Sequence, residues 1–105
     1  MSDLQIIEGF DWDAGNARKS EKHGVTQTET EQVFFNEPLL MLHDEKHSHS
    51  ESRFHALGKT SDGRLLHITF TLRSEGTKIR VISARDMHYK ERKSYETKTE
   101  THPKI

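Results

Sequence analysis

Six basic side chains of this 105-residue sequence form a cationic set spread over its local elements. Lys22 and His23 close a first helix, Arg53 opens a strand, Arg80 and Arg85 lie on a last strand, and Arg92 lies on a final helix. Metal-free cleavage of RNA requires three things: a base for the 2′-OH proton, a cation for the charge on the pentacoordinate phosphate, and an acid for the leaving 5′-oxygen. His23, Glu51 and a lysine are candidates for proton transfer. The arginines offer bidentate phosphate contacts. Phe10, Trp12 and Tyr95 are candidates to stack on unpaired bases. The plainer alternative is that each arginine packs its stem on a sheet and pairs with a surface carboxylate. Composition alone favours that alternative.

Other chemistries find less support. Eight histidines are present, and three cluster in His43-Asp44-Glu45-Lys46-His47-Ser48-His49. Imidazoles and carboxylates bind zinc or nickel, but this spacing matches no zinc motif, and an ordinary surface loop is the stronger reading. No metal site and no cofactor are therefore assigned. The absence of cysteine excludes disulfide scaffolds, thiolate zinc sites and Cys nucleophiles together. No HExxH, glycine-rich phosphate loop or Walker pattern occurs.

The elements that must position these residues follow from spacing. Phe10-Asp11-Trp12 reads as an edge strand or extended lead-in. Asp13 stands as N-cap to a helix ending at Lys22-His23, with Gly24 as its C′ stop. Thr26-Gln27-Thr28-Glu29 is a capping box for a second helix, whose apolar side is Val33, Phe34 and Phe35 and which Pro38 ends. Leu39–Leu42 reads as a strand, and residues 43–52 as an exposed loop. On the strand Arg53–Lys59, Phe54, Ala56 and Gly58 take one side and Arg53, His55 and Leu57 the other. After the turn Ser61-Asp62-Gly63, Leu66, Ile68, Phe70 and Leu72 alternate with His67, Thr69 and Thr71. Ser74-Glu75-Gly76 turns the chain into a strand from Lys78 to Arg85, and Asp86 is read as cap to a helix from Met87 to about Tyr95. The expected fold is α+β: two N-terminal helices, an antiparallel meander of three to four strands, and a C-terminal helix. Residues 1–96 form one domain, and residues 97–105 read as a flexible tail.

Composition bounds the class. Hydrophobic residues make up 30% and charged residues 31%, enough for one modest core. No apolar run reaches the roughly 18 to 20 residues of a spanning helix. Met1-Ser2-Asp3-Leu4 lacks the basic-then-apolar pattern of a secretory signal, so a cytoplasmic protein is expected. The net charge of −1 conceals an asymmetry: residues 1–62 carry 12 acidic against 6 basic residues, and residues 63–105 carry 10 basic against 5 acidic. The basic half suits a polyanion, while the acidic half limits indiscriminate binding.

Four stretches, in order, carry a resemblance. They are Phe10-Asp11-Trp12-Asp13 with Asn16 to Lys19 and Lys22-His23-Gly24-Val25; Val33-Phe34-Phe35-Asn36-Glu37-Pro38-Leu39; Glu51-Ser52-Arg53-Phe54-His55-Ala56-Leu57-Gly58; and Arg80-Val81-Ile82-Ser83-Ala84-Arg85 with Glu91-Arg92 and Tyr95. Together they resemble the BrnT toxin family across about residues 8 to 96. The resemblance implies a RelE-like compact α+β fold and a type II toxin that acts as a metal-independent ribonuclease arresting translation. It also implies a cognate ribbon-helix-helix antitoxin of the BrnA type, with operator DNA bound only through the antitoxin complex. Carried onto this chain, the catalytic positions are Lys22, His23, Glu51, Arg53, Arg80 and Arg85, with Trp12, Arg92 and Tyr95 as RNA contacts. In this reading Arg80 and Arg85 bind phosphate, Arg53 positions RNA, Glu51 or His23 accepts the proton and Lys22 supports electrostatically.

Strand parity sets a condition on this reading. Arg80 and Arg85 are an odd number of residues apart, so a regular strand would place them on opposite faces. Either a bulge or the strand's end re-aims one of them, or only Arg85 belongs to the site. Two other functions compete with the ribonuclease: a non-catalytic module that binds the antitoxin and helps regulate its operon, and a metal binder built on His43–His49.

Overall fold

The computed structural model describes residues 7–47 and 51–100. The elements run β1 (Gly9–Phe10), α1 (Ala14–Glu21), α2 (Gln27–Phe35), β2 (Leu40–Asp44), β3 (Arg53–Lys59), β4 (Leu65–Arg73), β5 (Lys78–Asp86) and α3 (Tyr89–Thr99). The sheet has five strands in the order β1-β5-β4-β3-β2, antiparallel except where β1 lies parallel to β5. The expected meander is therefore present as β2 to β5, and β1 adds a fifth strand. That strand is two residues long and lies at the sheet edge, where Phe10-Asp11-Trp12 reads as an edge strand or extended lead-in.

Alternation along the strands makes one face apolar. Ala56 of β3, Leu66, Ile68 and Phe70 of β4, and Ile79, Val81 and Ala84 of β5 are all buried there with Val25 and with Val33 of α2. Fully burying one of the larger of these side chains contributes roughly 1.5–3 kcal/mol. Gly58 allows the close approach of α2: a Cβ at this position would stand 2.8 Å from Val33 Cγ1. The Thr26–Glu29 capping box forms as expected, with Thr26 Oγ1 accepting from the Glu29 amide at 3.0 Å and Glu29 Oε1 accepting from the Thr26 amide at 3.0 Å. Gly24 has a positive φ of 72°, as the C′ stop of α1 requires.

The free edge of β5 is finished by a side chain. The carbonyls of Thr77 and Ile79 accept from the Glu8 and Asp11 amides. Beyond β1 the next carbonyl on that edge, Val81, accepts from the Nδ2 amide of buried Asn16 at 3.1 Å. The polar helix α1 thus sits against β5 where the sheet would otherwise present unpaired groups.

A second, smaller core forms on the opposite face. Leu57, Met87 and Tyr95 are buried there, with Leu40 and Leu65 packed against them, so α3 covers one end of that face. Asp86 does not cap α3, contrary to expectation. It ends β5 because its carboxylate is engaged by Arg64 at 2.8 Å, and His88 takes the N-cap position. Residues 97–99, read as the start of the tail, continue α3. Of the segment read as a loop, His43 and Asp44 belong to β2, while residues 48–50 lie outside the described residues, as do residues 101–105.

Candidate functional site

The face of the sheet opposite the main core carries polar groups in register across the strands. One ladder row runs Leu40–Leu57–His67–Arg85, and the next Leu42–His55–Thr69–Ser83. Thr71 pairs with Arg80, and Arg53 lies one residue beyond the Phe54–Phe70 pair, opposite Asp44. A β-bulge makes this arrangement possible. Thr69 pairs with Ser83 but Phe70 pairs with Val81, leaving Ile82 as the extra residue. Ala84, Val81 and Ile79 consequently all reach the main core, and Arg80 and Arg85 emerge on the same opposite face.

Two clefts open on this face. The first, of about 590 Å³, is lined by Arg53, Thr71, Arg73 and Arg80, by Glu51, and by the N-terminal turn of α1 from Asp13 to Asn16. The second, of about 460 Å³, lies between the sheet and α3 and is lined by His55, His67 and Arg85 with Lys90, Glu91 and Ser94.

Carboxylates aim the guanidinium groups of Arg80 and Arg85. Arg80 Nη2 donates to Asp13 Oδ2 at 2.8 Å, and its Nη1 lies 3.4 Å from Asp11 Oδ1. Arg85 forms a fork on Glu91, Nη1 to Oε1 at 2.8 Å and Nη2 to Oε2 at 2.9 Å. Glu91 Oε1 also accepts from the His88 amide at 2.8 Å. The Arg85 hydrogen bond is the main cause holding the Glu91 pKa at about 2, against the effect of burial.

The histidines of the face differ in environment. His55 Nε2 lies 2.8 Å from Asp44 Oδ2, and its Nδ1 lies 3.1 Å from Thr69 Oγ1. Burial pushes the Asp44 carboxyl up, but hydrogen bonds from His55 and His47 outweigh it and hold the pKa at about 2. The His67 ring lies 4.9 Å from that of His55. His67 is 9% exposed, and its buried Nδ1 has no hydrogen-bond partner among the described residues. Burial is the largest influence on this imidazole and lowers its pKa to about 4.

Of the positions expected from sequence, Glu51, Arg53 and Arg80 meet at the first cleft and Arg85 lines the second. Glu51 is paired there with Arg73 at 3.2 Å. Lys22 and His23 are exposed in the turn after α1 and line neither cleft. Tyr95 is 5% exposed, and its hydroxyl donates to the Pro38 carbonyl at 2.7 Å, so it is a core residue and not a stacking platform. Trp12 likewise turns away from this face: its ring packs on the main core and its Nε1 donates to Glu31 of α2 at 2.8 Å. Arg92 is exposed on α3 with its guanidinium 5.9 Å from the Tyr89 ring centre.

His55, His67 and Glu91 line the second cleft, and no motif in the sequence marks them as site residues. Alternation alone places His55 and His67 on the non-core sides of their strands. What spacing alone could not supply was the shared register and the arrival of Glu91 from α3. Of the His43–His49 stretch, His49 lies outside the described residues, and His47 Nδ1 pairs with Asp44 at 2.9 Å. No group of three or more His, Asp or Glu side chains suited to a metal ion occurs among the described residues.

No helix among the described residues is long and apolar enough to cross a membrane. No curated protein matches the chain. The family described as "Ribonuclease toxin, BrnT, of type II toxin-antitoxin system" matches residues 12–91, a span that takes in every residue lining the two clefts except Ser94. That span covers most of the sequence, and the chain belongs to the BrnT family of ribonuclease toxins of type II toxin–antitoxin systems.

Proposed function

We propose that this chain is a metal-independent endoribonuclease that cleaves RNA by attack of the 2′-oxygen on the adjacent phosphate and thereby arrests translation. The observation that carries this reading is the placement of Arg53, Arg80 and Arg85 on one sheet face with His55 and His67. Guanidinium forks supply the positive charge that a pentacoordinate phosphate requires. The Arg85 fork is already oriented by the Glu91 carboxylate and Arg80 by Asp13, and a phosphate that presents two oxygens in the same plane can replace Glu91 on the Arg85 fork without rebuilding the site.

The family implies an antitoxin as partner. We take it to be a ribbon-helix-helix protein of the BrnA type, which neutralises the toxin and links the complex to operator DNA. A non-catalytic role has one observation in its favour: Arg80 and Arg85 are both ion-paired within the chain.

End-labelled single-stranded RNA, incubated with purified protein in excess EDTA, separates the two. Cleavage leaving 2′,3′-cyclic phosphate ends, lost in Arg85→Ala, is the expected result. RNA left intact, both alone and with added ribosomes, by a protein that still binds its antitoxin would establish the non-catalytic module instead.

A further inference from the structure

We propose that His67 is the general base of the cleavage step and that Glu91 is its positioning residue, stabilising the imidazolium as it forms. This inference rests on the ribonuclease reading above and names the proton acceptor of the same face.

Geometry separates His67 from the other candidates. His23 stands in an exposed turn outside both clefts, and Glu51 is paired with Arg73 in the first. His67 lies beside Arg85 in the ladder and lines the groove beneath α3. Its Nδ1 is buried and unpartnered among the described residues. A structural histidine at such a position would ordinarily be satisfied by a neighbour. Nε2 lies 3.9 Å from Glu91 Oε2, too long for a hydrogen bond and near enough to become one when the ring gains a proton.

Burial and the charges on β3, β5 and α3 set the proton affinity of His67. Burial is the largest effect and disfavours the charged ring. Glu91 favours the charged ring, while Arg85 of β5, His55 of β3 and His88 at the start of α3 oppose it. Asp44 of β2 stands behind His55, and Lys90 of α3 lines the same groove. The ring is therefore neutral at neutral pH and offers a lone pair. When a substrate phosphate takes over the Arg85 fork, the cation is neutralised and Glu91 is left to act on His67. Both changes raise the base strength of the imidazole, so the base becomes active when phosphate is in place.

In the step itself the 2′-OH proton passes to His67 Nε2, the 2′-O–P bond forms and the P–O5′ bond breaks. Solvent water protonates the departing 5′-oxygen, and the hydroxide so formed takes the proton back from His67. The products are a 2′,3′-cyclic phosphate and a 5′-hydroxyl, with atoms and charge balanced.

The test measures cleavage rate against pH in EDTA for wild type, His67→Ala, His67→Gln and Glu91→Gln. Binding of a 2′-O-methyl RNA and urea unfolding serve as controls. Expected are a loss of about 10²-fold or more in both His67 variants with binding retained, partial rescue of His67→Ala by added imidazole, and an acidic limb displaced to lower pH in Glu91→Gln. Rescue by imidazole also covers the case in which the substitution weakens the fold. Wild-type cleavage matched by folded His67 variants with an unchanged pH profile would overturn the inference and leave the ribonuclease reading standing. Wild-type protein inert on RNA, with and without ribosomes, would remove both.

Discussion

Arg80 and Arg85 stand five positions apart on one strand and reach the same face of the sheet, because Ile82 has no partner on β4. Without that extra residue one of the two arginines would enter the main core, where Val81 and Ala84 now sit. A bulge next to a site re-aims side chains at the expense of one ladder position. Here it brings two cations to a face that also holds His55 and His67.

The fork on Glu91 makes Arg85 sensitive to shape as well as charge. Arg85→Lys keeps the charge and loses the second hydrogen bond. We expect RNA cleavage to fall by about 10- to 100-fold, equivalent to one charge-assisted hydrogen bond of about 1.5–3 kcal/mol. Single-turnover cleavage of end-labelled RNA reads this directly, and full activity in the lysine variant would mean that charge alone suffices.

Arg64 holds the far side of the fold together. It reaches Asp86 of β5 at 2.8 Å, Glu29 of α2 at 3.2 Å and the Gly24 carbonyl at 3.0 Å. Hydrogen bonds to Asp86 and Glu29 raise its pKa, so it stays charged throughout the accessible range. Arg64→Ala should lower stability by about 1–2 kcal/mol, since a three-way network exceeds the value of one surface pair. Urea midpoints measure the loss, with cleavage by the folded protein unchanged.

Gly58 and Val33 should prove energetically coupled. Val33 is fully buried and its branched side chain has little room to turn. Gly58→Ala therefore forces β3 and α2 apart, at a cost of about 1–3 kcal/mol. Adding Val33→Ala removes the atom that clashes, so the double variant should lose less than the two single losses combined. Strict additivity in the double-mutant cycle would show that the contact is not what limits this position.

Much of the frame was legible in the chain. The Thr26–Glu29 box, the stop at Gly24, the strand Arg53–Lys59 with its two sides and the alternation from Leu66 to Leu72 depend on neighbours within a few residues. The rest required distant partners. The segment around Phe10 reads as an edge strand, but its parallel pairing depends on distant β5, and Asp86 belongs to a strand because Arg64 claims its carboxylate. Tyr95 was read as a stacking ring because an exposed and a buried tyrosine look alike in a polar helix. The pairing of Glu91 with Arg85 is illegible for the converse reason, since one acidic residue in a charged helix carries no mark of the arginine it meets. The bulge was legible only as a condition that two arginines would have to satisfy.

Acid should weaken the fold in two stages, and the first belongs to His67. Its folded pKa of about 4 lies below the ordinary value of 6.5 because burial disfavours the charged ring. Between these values the unfolded chain binds a proton that the folded chain does not, so stability is intact above about pH 6.5 and declines as pH falls toward 4. The full difference is on the order of 3 kcal/mol. Glu91 and Asp44 behave differently: both carboxyls are held at about 2 in the folded state, so their contribution persists until pH falls below their ordinary values near 4. Urea midpoints for wild type and His67→Gln at pH 7.5, 5.5 and 4.5 distinguish the stages. The wild type should lose stability progressively across the three, and the variant should change much less. An equal decline in both proteins would assign the first stage to another group and deny His67 its buried, neutral state.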